Sequence, residues 1–331
     1  MRRRDFIAGL VAAGTIGGAH AQQKARVYRI AVVDPSESVA NMSETGSRRF
    51  GAFFQRLRDL GYIEGQNLSV ERYSGEGRMK FAELAREVVP GNPDLIFVNT
   101  SRITREIKTA TQTIPVVSVG ADPVAYGVVS SLARPGGNIT GATVDAGVEI
   151  VGKRLELLRE MIPAASRVAY LGSHGMWEGA DGAAMREVAQ RIKISLIGPP
   201  LESPLWEAEY RRVFAAMTQA GADALVVANQ SELLTDRRLI LKLAENARLP
   251  AIYPDRDFAE IGGLMAYGVE LQDVFRHAAE QVDQILKGAK PGDIPFYQPT
   301  KFELVINAKA SKAVGITVPP TLLIAADKVI E

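Results

Sequence analysis

Two carboxylates, Asp122 and Asp255, each lie in a short polar stretch that closes an apolar run, Gly120-Ala121-Asp122-Pro123 and Tyr253-Pro254-Asp255. A carboxylate withdrawn from bulk water in this way pairs well with a desolvated cation such as an ammonium. Asn99-Thr100-Ser101 and Asn229-Gln230-Ser231 offer complementary chemistry. Thr100 and Ser101 stand just before a predicted helix, where their hydroxyls and the following backbone N–H groups suit a carboxylate. Ser36, Ser173, Asn229 and Gln230 add neutral donors and acceptors, and Trp177 and Tyr253 add faces for an apolar or aromatic group. Each residue also has a purely structural role open to it. Asp122 can serve as a turn residue before Pro123, and Asp255, Thr100 and Ser101 as helix caps. Trp177 can anchor a loop, and Tyr253 and Tyr267 can pack a core.

The same inventory gives little purchase for covalent chemistry. Beyond residue 21 the histidines are His174 and His277 alone, and the chain has no cysteine. There is no G-x-S-x-G elbow and no Gly-rich phosphate loop. No metal site and no cofactor is expected. His277 follows Arg276 on a predicted helix and reads as a surface side chain, and the stretches Glu156–Glu160 and Glu202–Glu209 read as solvated helix faces.

The polar stretches are placed by a duplication. Gly91–Ser101 aligns with Gly221–Ser231, with Gly, Leu, Asn and Ser identical. Arg29–Val33 echoes Arg167–Leu171, and Ile114–Val117 echoes Leu249–Ile252. Strands are predicted at 29–33, 68–73, 95–98 and 116–119, and again near 167–171, 193–197, 224–228 and 250–253. Helices are predicted between them, at 47–60, 79–89 and 102–109, then near 148–161, 180–190, 207–218 and 233–246. Alternating β and α elements argue for a parallel, doubly wound sheet in each half, with ligands at the carboxyl ends of the strands. Ala133–Gly141 reads as a turn-rich passage leaving the first unit. After the second unit come a Gly-bounded strand at 262–268, an amphipathic helix at 271–287 and a strand at 303–307. These fit a chain that crosses back to the first lobe and returns, giving a hinge of three segments.

The amino terminus reads as an export signal. Arg2-Arg3-Arg4 precedes a short apolar stretch, Ile7 to Gly18, and Ala19-His20-Ala21 offers a small-x-small cleavage site. Arg3-Arg4-Asp5-Phe6-Ile7 resembles the twin-arginine motif, with an ordinary Sec signal as the alternative route. The apolar stretch is too short to span a bilayer. Formal net charge is +1; without residues 1–21, which hold three Arg and one Asp, 36 basic residues face 37 acidic ones, or −1. That balance gives no footprint for nucleic acid or an anionic membrane.

Several phrases together resemble one family of ABC-transporter substrate-binding proteins, similar to the TrpX-like binding proteins. They are Leu60-Gly61-Tyr62-Ile63-Glu64-Gly65-Gln66-Asn67, Ser131–Gly141, Gly152-Lys153-Arg154-Leu155-Glu156-Leu157-Leu158 and Gln298–Asn307. The resemblance implies a type I periplasmic-binding-protein fold, α/β, with two doubly wound parallel-sheet lobes joined by a three-segment hinge. The expected layout is an export signal at 1–21, one lobe from 22–142 and 269–300, and the other from 143–268 and 301–331. It also implies a monomer in the periplasm that takes a small-molecule ligand, for some relatives an aromatic amino acid, and passes it to an ABC permease and its ATPase. A carboxylate-dependent hydrolase or isomerase in the same cleft, and a ligand-sensing subunit for a membrane receptor, stay open as alternatives.

Overall fold

The computed structural model describes residues 26–75, 81–144 and 147–331. The expected export signal lies outside them. The first sheet is wholly parallel, in the order β2-β1-β3-β4-β5. Its strands are β1 (Tyr28–Asp34), β2 (Leu68–Ser74), β3 (Leu95–Asn99), β4 (Val116–Gly120) and β5 (Ile139–Thr143). Helices α1 (Arg48–Asp59), α2 (Phe81–Val88) and α3 (Ser101–Ala110) connect them. Ile30 to Val33 and Leu95 to Val98 are fully buried, as expected of strands covered on both faces. α1 turns Phe50, Phe53, Phe54 and Leu57 onto one of those faces. β5 differs from the turn-rich passage predicted at 133–141. Gly141 lies so close to β4 that a Cβ would fall 1.8 Å from the Ser118 carbonyl oxygen, so the glycine permits pairing rather than a turn.

The second sheet continues through α4 (Glu149–Met161), β6 (Arg167–Leu171), α5 (His174–Glu178), α6 (Ala180–Arg191), β7 (Ser195–Ile197) and α7 (Glu207–Gln219). Next come β8 (Ala224–Val227), α8 (Ser231–Thr235), α9 (Arg237–Asn246), β9 (Ala251–Tyr253), α10 (Arg256–Glu260) and β10 (Met265–Val269). Its first five strands lie in the order β10-β9-β8-β6-β7, which is the strand order of the first sheet. The sequence echo therefore has a counterpart in topology: β1, β3 and β4 correspond to β6, β8 and β9.

The remaining chain joins the two. α11 (Leu271–Leu286) packs against α1, with the Phe275 ring edge-on to Phe50 at 5.3 Å and to Phe97 at 5.6 Å. β11 (Phe302–Asn307) then enters the second sheet antiparallel to β10. The chain continues through α12 (Ala308–Ala313) and α13 (Pro320–Ala325), and β12 (Lys328–Ile330) pairs parallel with β11. These last three elements lie beyond the strand at 303–307, the last element predicted from sequence.

The chain passes between sheets after β5, between β10 and α11, and before β11. The three crossings are tied by backbone bonds from Thr143 N to Tyr297 O (2.9 Å) and from Glu270 N to Lys301 O (3.1 Å). His277 is part of this region rather than a free surface group. Its ring stacks on Tyr297 at 3.7 Å because α11 is covered there by the segment that leads into β11. Among the described residues, no helix is long and apolar enough to cross a membrane.

Candidate functional site

The carboxyl ends of the two sets of strands face one another across a cleft, and two adjoining cavities occupy it. The larger holds about 590 Å³ and the smaller about 60 Å³. Ala121, Val144 and Asn229 form a wall common to both. Sites for small organic molecules run to several hundred Å³. The larger cavity has that capacity and the smaller suits a few atoms.

The smaller cavity lies against the hinge. Asn99 and Asn229, equivalent residues of the two halves, both line it. Behind Asn99 is a buried charge cluster. The Asp34 carboxylate is fully enclosed and accepts from Asn99 Nδ2 at 2.7 Å and from Ser36 N at 2.8 Å. Arg49 reaches Glu37 at 2.9 Å and Asp34 at 3.5 Å. Burial pushes the Asp34 carboxyl above its ordinary range while Arg49 opposes that shift. Burial works against the Arg49 cation, but Asp34 and Glu37 outweigh it and hold the guanidinium protonated.

Thr100 lies at the same cavity in a conformation that β-branched residues rarely adopt, φ +84° and ψ 134°. Its buried Oγ1 has no hydrogen-bond partner, and neither does the buried Arg49 Nε. Strain and orphaned polar atoms cost stability and collect where function requires them. Gly120, at the end of β4, lets this loop approach, since a Cβ there would fall 2.5 Å from Ser101 N.

Asp255 enters the smaller cavity from the second lobe and also caps α10, accepting from Asp257 N at 2.7 Å. The capping and lining readings therefore hold together. Burial, reinforced by the nearby Asp257 carboxylate, pushes Asp255 up to about 7.

The larger cavity gathers Ser101, Asp122, Ser173, Asn229 and Gln230. Ser101 Oγ donates to the Ala121 carbonyl, so this hydroxyl also fastens the loop. Asp122 is exposed, with φ +28°, and accepts from Ala125 N at 2.9 Å, in keeping with its turn role. Gln230 and Ser173 bond reciprocally: Ser173 N donates to Gln230 Oε1 and Gln230 Nε2 donates to Ser173 Oγ, both at 2.9 Å. Ser36 lines the smaller cavity and accepts from Thr235 Oγ1 across the cleft at 2.9 Å.

Two sequence candidates line neither cavity. Tyr253 is buried in the second lobe, stacked on Phe258 at 4.6 Å. Trp177 packs against the same core, 5.3 Å from Tyr170. In both cases the aromatic ring is taken up by apolar neighbours within its own lobe.

The site also holds residues that sequence reading passed over. Arg49 and Arg237 line the smaller cavity, and Arg154 and Asp181 the larger. Arg154 carried a findable signal. It stands three residues after Val151 and four before Leu158, on the buried face of α4. Among the described residues, no group of His, Cys, Asp or Glu side chains is arranged to hold a metal ion.

Comparison with known proteins settles the family. The family described as ABC transporter substrate binding protein matches residues 45–330. The chain belongs to that family. This substrate-binding protein is also 23% identical over 267 residues to a tyrosine-binding protein of Clostridioides difficile, covering 80% of this chain and 75% of the relative. Its fold matches a crystal structure of a Streptococcus pneumoniae ABC domain in complex with L-Trp, with a TM-score of 0.78 and 21% identity. That match covers 92% of this chain and all of the other. A conserved domain protein of Vibrio cholerae is similar at a TM-score of 0.79 and 24% identity, with the same coverage. Members of the family bind solutes and do not transform them, which sets aside the hydrolase and isomerase alternatives for this substrate-binding protein.

Proposed function

We propose that this protein is the extracytoplasmic solute-binding component of an ABC importer. It captures a small polar organic solute between its lobes, an amino acid in preference and an aromatic one among those. It then hands the solute to a membrane permease driven by its ATPase. On this reading the mature chain starts after residue 21, works as a monomer in the periplasm, and consists of the two lobes with the boundaries given above. Ser101, Asp122, Ser173, Asn229 and Gln230 supply the polar contacts, and Ser36, Thr100 and Asp255 complete the hinge end of the cleft.

The observation that carries the reading is a cavity of about 590 Å³ walled by strand-end loops from two sheets of the same strand order. The tyrosine-binding relative and the L-Trp complex support an amino acid. So does the wall itself, where Tyr126 and Met176 offer apolar faces beside the polar loops. Ligand that binds only the folded state raises its melting temperature by mass action. A thermal-shift screen against the common amino acids, with sugars and polyols as controls, is expected to give stabilisation by one or more amino acids and no turnover of the solute. Stabilisation by a sugar alone would replace the amino acid with another solute class, and no stabilisation by any solute would count against the cleft reading.

A further inference from the structure

Arg154 is only 2% exposed, and it faces the larger cavity. Its Nε donates to the Tyr267 carbonyl at 2.7 Å. Among the described residues, no carboxylate lies within ion-pairing distance of Arg154 and no acceptor meets the outer edge of its guanidinium. A buried, unpaired guanidinium is costly unless an anion arrives to meet it. Burial accordingly draws Arg154 down to about 10.

Asp181, in the first turn of α6, lines the same cavity and makes no hydrogen bond or ion pair with the described protein. Arg154 is its favourable electrostatic neighbour, and Asp122, which belongs to the other lobe, is its unfavourable one. Among the described residues the cavity thus presents one cation without an ion-pair partner, on the second lobe, and two carboxylates of like charge from opposite lobes.

We propose that the solute is a zwitterion whose carboxylate docks on the free edge of Arg154 and whose ammonium sits between Asp181 of the second lobe and Asp122 of the first. This rests on the solute-binding reading and specifies its substrate class and its contacts. The carboxylate removes the cost of an unpaired buried cation, through the charge-assisted, two-pronged bonds that arginine favours. The ammonium turns repulsion between the lobes into attraction, so the group that defines an amino acid is also the group that draws the cleft shut. A plain carboxylate would meet Arg154 without closing the lobes.

Calorimetric titration tests this with the wild-type protein, D181N, R154Q and R154K. The probes are the common amino acids and, for each one bound, its carboxamide and its desamino acid. Wild type is expected to bind at least one amino acid, and to bind the carboxamide and the desamino acid each about 30-fold or more weakly. R154Q should lose a similar factor for the amino acid and nothing further for the carboxamide. D181N should lose affinity for the amino acid and nothing further for the desamino acid. The arms that vary the ligand use wild-type protein, so they remain decisive if R154Q does not fold.

Wild-type affinity for the amino acid in both D181N and R154K, or equal wild-type affinity for amino acid and carboxamide, overturns the zwitterion assignment and leaves the cleft reading standing. Native mass spectrometry that finds a retained solute lacking either charged group does the same. Binding of no solute at all removes both.

Discussion

Arg102, in the first turn of α3, forms an ion pair with Glu232, in the first turn of α8, across the cleft between the lobes. The two occupy equivalent places in the duplicated halves, each one residue past the matching serines Ser101 and Ser231. Positions related by the duplication thus carry opposite charges and meet when the cleft is shut. Arg48 and Glu260 make a second ion pair between lobes, and Ser36 and Thr235 a hydroxyl contact.

Both partners of the Arg102–Glu232 pair are partly exposed, 47% and 30%, so its worth is about 0.2–1 kcal/mol. R102E is expected to open the ligand-free protein, seen as a larger radius of gyration in solution scattering. The charge swap R102E/E232R should restore the wild-type value. An unchanged radius in R102E would mean that the pair does not influence closure.

Removing Arg49 strands Asp34 and Glu37, both enclosed, without their shared cation. R49A should therefore cost about 3–5 kcal/mol in urea unfolding. A loss below about 1 kcal/mol would show that water or rearrangement satisfies the carboxylates.

Asp255 gives a pH signature. Its folded-state pKa, about 7, lies above that of an unfolded aspartate. The folded state therefore holds the proton more tightly, and stability contributed by this group falls as pH rises from about 4 to about 7. D255N keeps the cap on α10 and removes the titration. It should match wild type near pH 4 and exceed it by about 1–3 kcal/mol above pH 7. Melting curves across that range check the sign, and parallel curves would contradict it.

Thr100 holds a backbone conformation that glycine adopts freely, at φ +84°. T100G should relieve strain of about 1–3 kcal/mol, less up to about 1 kcal/mol for glycine's lost freedom. The ligand-free variant is expected to melt slightly higher than wild type while its solute affinity falls. A lower melting point would show that the threonine side chain serves the fold instead.

Much of the architecture was legible because buried parallel strands announce themselves as continuous apolar runs. Ile30–Val33, Leu95–Val98 and Leu225–Val227 are apolar throughout and wholly buried. The strand-end loops were legible for the same reason, since polar residues begin where those runs stop. Harder to read were features that depend on distant neighbours. β5 hides behind glycines that sequence reads as turns, and β12 is a short edge strand that forms only because β11 is there to pair with. Arg154 looks like one charge among several in Lys153–Glu160, and only its place on the buried face of α4 separates it from the solvated ones. Trp177 and Tyr253 show the converse difficulty. Aromatic residues near a cleft satisfy the needs of a core as readily as those of a ligand, and both are packed within the second lobe.

The order of the elements along the chain has a consequence for how the molecule is made. Phe50 and Phe97 lack their contact with Phe275 until α11 has been synthesised, and one edge of β10 stays unpaired until β11 follows it. A ribosome that has produced either half of the duplication has produced neither finished body. The first body is completed once α11 has been made and the second only when β11 follows it, so both mature after the whole of the duplication has left the ribosome.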